Sequence, residues 1–421
     1  CGSSYQSTLA QQAAVIRTDS LGNIIWAKDF GGTFTDGAIA CLITNDSNII
    51  VIGVKDGLSS TDSKIWIFFL DQNGIQIRTN ETRILSGSNT AESIEKCNDG
   101  GYIVAGSCNT MAVPEQVSFL LKLDSLGNIE WAHPYGTGTI NSGYDAIETF
   151  DGGFVLAGGI GTSSASSDVF LFKVDSAGTT LWADTIGTSN AEGAFSVKQT
   201  VDSNIVVAGN SYNFHDENIF LATVTNNGAL LWMKEVGDSL ENTVNCLQIT
   251  SDGNIMLAGT TAITSSSHYQ ALLFKLDTQG DTIWVKNYGG PLSEFSYFGI
   301  ETRDGGFALT GQVSILQPPH NAMYFVKVDQ NGSTTQVNHI LIENRIVVFP
   351  NPASELINIH MQSEFKKRIT YELIDISGRS LITGSSSNSF FSVNIQSLAK
   401  GIYFIILLSD NEQIIKQFIK Y

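Results

Sequence analysis

Six side chains carried on the longer loops of this sequence could do chemistry: Tyr212, His215, Asp216, His268, Tyr269 and His320. Together they offer aromatic faces for stacking, imidazoles that titrate near neutrality and one carboxylate, which is the repertoire of a ligand-binding surface. Catalysis is less well served. No Ser-His-Asp or HExxH spacing occurs, and upstream of Asn344 the arginines are Arg17, Arg78, Arg83 and Arg303, too scattered to clasp an acidic sugar. Asp and Glu are plentiful, so a pair of carboxylates at glycosidase distance stays open. The five cysteines, Cys1, Cys41, Cys97, Cys108 and Cys246, form no CxxC or His-paired spacing. Neither a metal site, a disulfide framework nor a cofactor is therefore expected. Cys41, Cys97 and Cys246 fall in apolar strand positions and read as buried free thiols.

The elements that must position those loops recur. The stretch from Phe119 to Trp131 is an apolar strand, a turn Asp124-Ser125-Leu126-Gly127 and a second strand ending in Trp. Its turn residue returns at Asp19, Asp71, Asp124, Asp175, Thr225, Asp277 and Asp329, in steps of 52, 53, 51, 50, 52 and 52 residues. Periods near ~50 belong to propellers or solenoids. Each full period reads as four short strands: Ala146-Ile147-Glu148-Thr149, a turn at Asp151-Gly152-Gly153, the strand Phe154 to Gly158, a variable loop, the strand Val169 to Val174, a turn at Asp175 and a last strand with Trp182. The second and third strands are apolar on both faces, so both faces need cover. Sibling sheets stacked around a ring supply it.

The expected architecture is all-β: a seven-bladed β-propeller over residues 1–343, or six blades and a partial one, followed by a small Ig-like sandwich over 344–421. Cys1-Gly2-Ser3-Ser4 aligns with Ala105-Gly106-Ser107-Cys108, so the sequence is expected to begin inside a repeat, in a blade short of its first two strands. Trp26, Trp131, Trp182, Trp232 and Trp284 share one slot, taken by Arg78 and Gln336 in two copies; a fixed indole in every repeat reads as packing between blades. Lys122, Lys173, Lys275 and Lys327, with Arg17, recur two residues before the turn Asp and read as solvated. The turns inside each hairpin pair are short and uniform. The opposite rim carries the variable loops and the six candidate side chains.

Charge divides the chain as the repeats do. From Asn344 onward eight Lys and Arg stand against six Asp and Glu, leaving 15 against 35 upstream. So acidic a body does not suit nucleic-acid backbones. No apolar run reaches the ~18 residues of a membrane span.

The C-terminal stretch carries four ordered blocks: Pro350-Asn351-Pro352-Ala353, Ile374-Asp375-Ile376-Ser377-Gly378-Arg379, Leu398-Ala399-Lys400-Gly401-Ile402-Tyr403 and Lys416-Gln417-Phe418-Ile419-Lys420-Tyr421. These resemble the type A C-terminal sorting domain of type IX secretion cargo. The resemblance implies export through the periplasm, recognition by the outer-membrane translocon and sorting machinery, and release or attachment at the cell surface, with Pro350, Asn351, Pro352, Gly378, Arg379, Gly401, Tyr403, Lys416 and Lys420 as the matching signal positions. An extracellular or surface-bound binding or adhesion protein, with a glycan or protein as ligand, is the function expected. A structural surface-layer or spacer role and a glycan-active enzyme are the alternatives.

Overall fold

The computed structural model describes the chain outside residues 5–10, 20–23, 33, 56–62, 111–115, 137–139, 164–165, 213–216, 238–239, 265–267, 291, 317–318, 341–345, 350–352, 362–368, 376–378, 389, 410–411 and 421. Strands and turns make up the described residues, with no helix among them. The chain divides into two compact units, Cys1–Leu341 and Ile342–Tyr421.

The first unit holds seven antiparallel sheets in chain order. Six have four strands whose spatial order is their sequence order; the fourth sheet, Ile140–Glu148, Phe154–Ser163, Ser166–Val174 and Thr180–Ile186, is typical. The first sheet has three: Gly2–Ser4, Gln12–Thr18 and Ile24–Phe30. Gly2 pairs with Ala14 as Gly106 pairs with Phe119, so Gly2–Ser4 is the end of a second strand, the place its alignment with Gly106 and Ser107 gives it. Each pair of successive sheets, from the first to the seventh, traps its own apolar cluster. Between the fourth and fifth, for example, Val155, Ala157, Val169 and Leu171 pack against Val197, Val207, Phe220 and Ala222. This is the cover that two-sided apolar strands demand. First strands of neighbouring sheets touch along the inside. Gly2 of the first sheet faces the methyl of Met323 in the seventh, where a Cβ would meet it at 3.8 Å. The ring is a seven-bladed β-propeller.

The turns explain the repeat sequence. In the turn between third and fourth strands, Asp124 Oδ1 accepts the backbone N–H of Leu126 at 2.9 Å and of Asn128 at 2.8 Å. Asp175, Asp277 and Asp329 do the same. The glycine that follows has φ near 80° and lies flat on the tryptophan of the preceding blade: Gly178 on Trp131, Gly228 on Trp182, Gly280 on Trp232. A Cβ there would be strained by φ and would strike the indole. Trp131 and Trp182 also donate their indole N–H to the carbonyls of Ser176 and Asn226 at 3.1 Å. Where Arg78 replaces Trp, its guanidinium lies over Phe69 and donates to the Leu126 carbonyl, keeping the same inter-blade contact.

The repeat lysines are not solvated. The side chains of Lys122 and Lys173 are 5% and 1% exposed. Lys173 Nζ donates to Thr149 Oγ1 at 2.6 Å and to Asp151 Oδ1 at 2.7 Å, in the turn joining the first two strands of its blade. Lys122, Lys275 and Lys327 hold Asp99, Asp252 and Asp304 the same way. A lysine stem crosses apolar surface readily and its head finds the turn carboxylate, so the apolar strand tolerates it.

In the second unit, a three-stranded sheet ordered Ile346–Phe349, Leu356–Met361, Phe390–Asn394 accompanies a four-stranded one ordered Ser380–Ser386, Ile369–Asp375, Gly401–Ser409, Glu412–Lys420. Ile357, Ile359 and Val393 from the first sheet and Leu373, Ile405 and Phe418 from the second share one core, making a β-sandwich. Cysteines divide otherwise than expected: Cys97, Cys108 and Cys246 are buried, whereas Cys41 is exposed. Cys41 pairs with Val51 in the second sheet, and its Sγ lies 4.0 Å from the amino group of Cys1. Burial pushes the thiols of Cys97 and Cys108 up to about 12, so both are inert.

Candidate functional site

The inner strand of every four-stranded blade contains one extra residue. Pairing with the second strand slips between Gly143 and Asp145, leaving Tyr144 as the bulge, and it slips at the same place in the other five. The extra residues are Ile39, Glu92, Tyr144, Phe195, Asn245 and Tyr297. A bulge unpairs one residue and re-aims its side chain. Repetition therefore turns one local irregularity into a ring of side chains along the inner edge of the propeller.

Between the fourth and fifth blades this ring opens into a cleft of about 440 Å³ on the long-loop rim. Tyr144 and Phe195 form one wall, their ring centroids 4.7 Å apart and tilted by 49°. Tyr212, 44% exposed, and Glu217 stand across from them. Gly159, Gly161 and Gly193 leave the bed bare. Glu217 accepts the amide N–H of Asn210 at 2.9 Å. Burial raises its pKa, the Asn210 bond opposes this, and repulsion from Glu241 adds to the rise. Glu192, buried beneath, accepts the Thr188 backbone N–H at 3.1 Å and the hydroxyls of Thr188 and Ser211.

Beside Tyr144 in sequence, Asp145 begins a charged floor. Its Oδ2 accepts Ser196 Oγ at 3.1 Å and the Val197 N–H at 3.0 Å, and lies 3.7 Å from Lys198 Nζ. Lys198 also reaches Glu95 Oε1 at 2.5 Å, two blades away. Burial lowers the pKa of Lys198, but Asp145 and Glu95 outweigh it and raise the ammonium above its ordinary value. The third, fourth and fifth blades are thus tied together by one ion cluster on their inner strands.

Glu92 of the ring is different. Among the described residues nothing donates to its carboxyl, and burial pushes it up to about 7. The folded protein then binds this proton more tightly than the unfolded chain, whose Glu titrates near ~4.3. Stability is lost as pH rises through that interval. Glu92→Gln should raise the Tm at pH 8 and leave it unchanged at pH 4, measured by calorimetry; an equal change at both would contradict a neutral buried acid.

Of the six loop side chains singled out from sequence, Tyr212 lines the cleft. Tyr269 lies one blade on: its hydroxyl donates to Glu241 Oε2 at 3.0 Å and its ring is 5.3 Å from that of Phe295. His268 is held at the seam with the seventh blade, its Nε2 2.8 Å from the Leu292 carbonyl oxygen. His215 and Asp216 lie outside the described residues, and His320 is placed only as a strand residue paired with Ile315. Sequence reading missed Tyr144, Phe195 and Glu217. One signal was available: five residues before the Thr or Cys of each first turn, after a small residue, stands a column of unlike types. A second column also went unread. Asp36, Asn89, Glu192 and Glu294, buried at equivalent places, accept backbone N–H groups of the loop before their strand. Among the described residues no three His, Cys, Asp or Glu side chains converge as a metal site.

In the second unit, Pro350, Asn351, Pro352 and Gly378 lie outside the described residues. Arg379 donates its Nε–H to Asp375 at 3.2 Å across a turn. Gly401 pairs with Lys420, and Lys416 with Ile405, in the edge hairpin. The Tyr403 hydroxyl donates to the Ala399 carbonyl at 2.8 Å.

Comparison with known proteins separates the two units. Residues 347–421 match the family described as secretion system C-terminal sorting domain. No curated protein matches the chain. Among solved structures, the chain is similar to PorZ, a surface component of the type-IX secretion system of Porphyromonas gingivalis, at 13% identity and TM-score 0.41, covering 99% of this chain and 58% of that one. It is similar to the β-propeller domain of the Trilobed protease from Pyrococcus furiosus, at 11% identity and TM-score 0.44, over 76% of this chain and 88% of that one. A polysaccharide lyase, ulvan lyase, shares 10% identity at TM-score 0.48, over 77% and 88% of the two chains. Residues 347–421 are therefore a type IX secretion C-terminal sorting domain, which follows a repeat β-propeller and marks the chain for export to the cell surface or the extracellular space.

Proposed function

We propose that this protein is an exported binding module, delivered by its sorting domain and engaging an extracellular glycan or protein through the long-loop rim of its propeller. The observation that carries the reading is the cleft between the fourth and fifth blades: concave, walled by Tyr144, Phe195 and Tyr212, and edged by the polar Asn210 and Glu217. Small-ligand sites are concave, largely apolar and furnished with a few placed polar groups, at roughly 300–1,000 Å³. A spacer would have no use for an exposed Tyr212 and two half-buried aromatic rings around an open bed. On this reading the first unit, Cys1–Leu341, binds and the second, Ile342–Tyr421, carries the address. The test is a screen of the full-length protein against arrayed glycans and extracted surface proteins. Saturable binding weakened by Tyr144→Ala and Tyr212→Ala is expected; a protein that binds neither class is a spacer.

A further inference from the structure

Resting on that binding reading, we infer that the ligand of the cleft is an uncharged saccharide, stacked on the aromatic wall and lying on a bed that Gly193 keeps open.

The charge of the site excludes the acidic sugars. Among the described residues no Lys or Arg lines the cleft, while Glu192 and Glu217 do. An anion placed there would meet a carboxylate that burial and Glu241 already make costly to charge. What Glu217 lacks is donors, since Asn210 supplies one amide N–H. Sugar hydroxyls are neutral donors and satisfy a carboxylate without adding charge. Tyr144 and Phe195 offer apolar faces for the C–H surface of a pyranose, and Tyr212 has both a face and a hydroxyl.

Gly193 makes the argument specific. Most glycines in this propeller are explained by positive φ or by a neighbour a Cβ would strike: at Gly209 it would fall 1.7 Å from the Gly193 carbonyl oxygen, and at Gly158 1.9 Å from that of Ser142. Gly193 has neither reason, because its φ is not in the left-handed region and a Cβ would meet nothing within 4 Å. In strand interiors glycine costs stability relative to a residue with a side chain. The equivalent positions carry Thr90, Ser142, Thr243 and Phe295 in four other blades and Gly37 in the second. Bare backbone in open space, facing an aromatic wall, is what a flat ligand requires.

The same geometry supplies a variant that blocks the cleft while leaving the fold alone. At Gly193 an added Cβ meets no atom within 4 Å, and Trp suits a strand. Full-length protein is titrated with neutral gluco-, manno-, galacto- and xylo-oligosaccharides, with uronic and sulfated counterparts, and with Lys- and Arg-rich peptides. The expected result is that a neutral oligosaccharide binds, and that Gly193→Trp and Tyr144→Ala each weaken it at least about tenfold, or about 1.4 kcal/mol, with circular dichroism and Tm unchanged. Binding confined to charged saccharides or peptides, or neutral-sugar binding indifferent to Gly193→Trp, overturns the saccharide assignment and leaves the rim reading standing. Absence of binding to all of these and to the arrayed proteins overturns both.

Discussion

Deleting residues 344–421 leaves the propeller in the periplasm, with surface-accessible protein falling to background. The expectation follows from two independent facts. The sorting-domain match begins at residue 347 and runs to the end of the chain. The propeller has its own clusters of buried residues and the second unit a separate core around Leu373, Ile405 and Phe418, so the deletion removes an address without opening a blade. Protease shaving of intact cells, with fractionation of the periplasm, reads the outcome. Normal delivery of the truncated protein to the surface would refute the assignment of export to the second unit.

The second large effect concerns the lysine that four of the seven blades hold against a turn carboxylate. Asp151→Ala is expected to destabilise the propeller by about 3 kcal/mol, the low end for leaving a buried charge unpaired, since Lys173 is 1% exposed and keeps the neutral Thr149 hydroxyl but no counter-charge. Lys173→Met should cost less, about 1–2 kcal/mol, because the Asp151 side chain is 44% exposed and turns to water. The more exposed partner is thus the more damaging one to remove. Urea melts of both variants check the order, and a reversed order would show that Lys173 escapes to solvent. The pH dependence has a definite sign. Burial raises the Asp151 pKa, but Lys173, Thr149, Asn226 and the Gly153 N–H outweigh it and hold the carboxyl well below the usual carboxylate range. Its contribution is complete above the ordinary value near ~4 and fades as pH falls below that toward the folded value. The deficit of Asp151→Asn should therefore be full at pH 7 and shrink in acid.

Strands, turns and blade count were legible because they rest on local rules repeated seven times. An Asp that caps two N–H groups, a glycine at positive φ and an indole that must meet the next turn leave the same marks in most copies. The lysines misled because the residue type argues for solvent, and only the fold brings the turn carboxylate of another strand to the ammonium. Cys41 misled for the opposite reason: its own strand is ordinary, and nothing local marks the thiol as exposed. The cleft was least visible. Tyr144 and Phe195 stand 51 residues apart in sequence and meet at 4.7 Å solely because both occupy bulges. A bulge needs no particular side chain, so its column varies freely and carries little signal in one sequence. Tyr212 was recognised as a loop aromatic, yet nothing local distinguishes it from His268, which the fold spends on a seam.

Carbene footprinting of the full-length protein, free and saturated with the neutral oligosaccharide it binds best, tests the binding face most directly. Phe150 and Val201, 66% and 86% exposed on the short-turn rim of the same two blades, serve as internal references. The predicted result is protection of Tyr144, Phe195 and Tyr212 with Phe150 and Val201 unchanged. Protection centred on Phe150 and Val201, with the cleft still fully labelled, would contradict it.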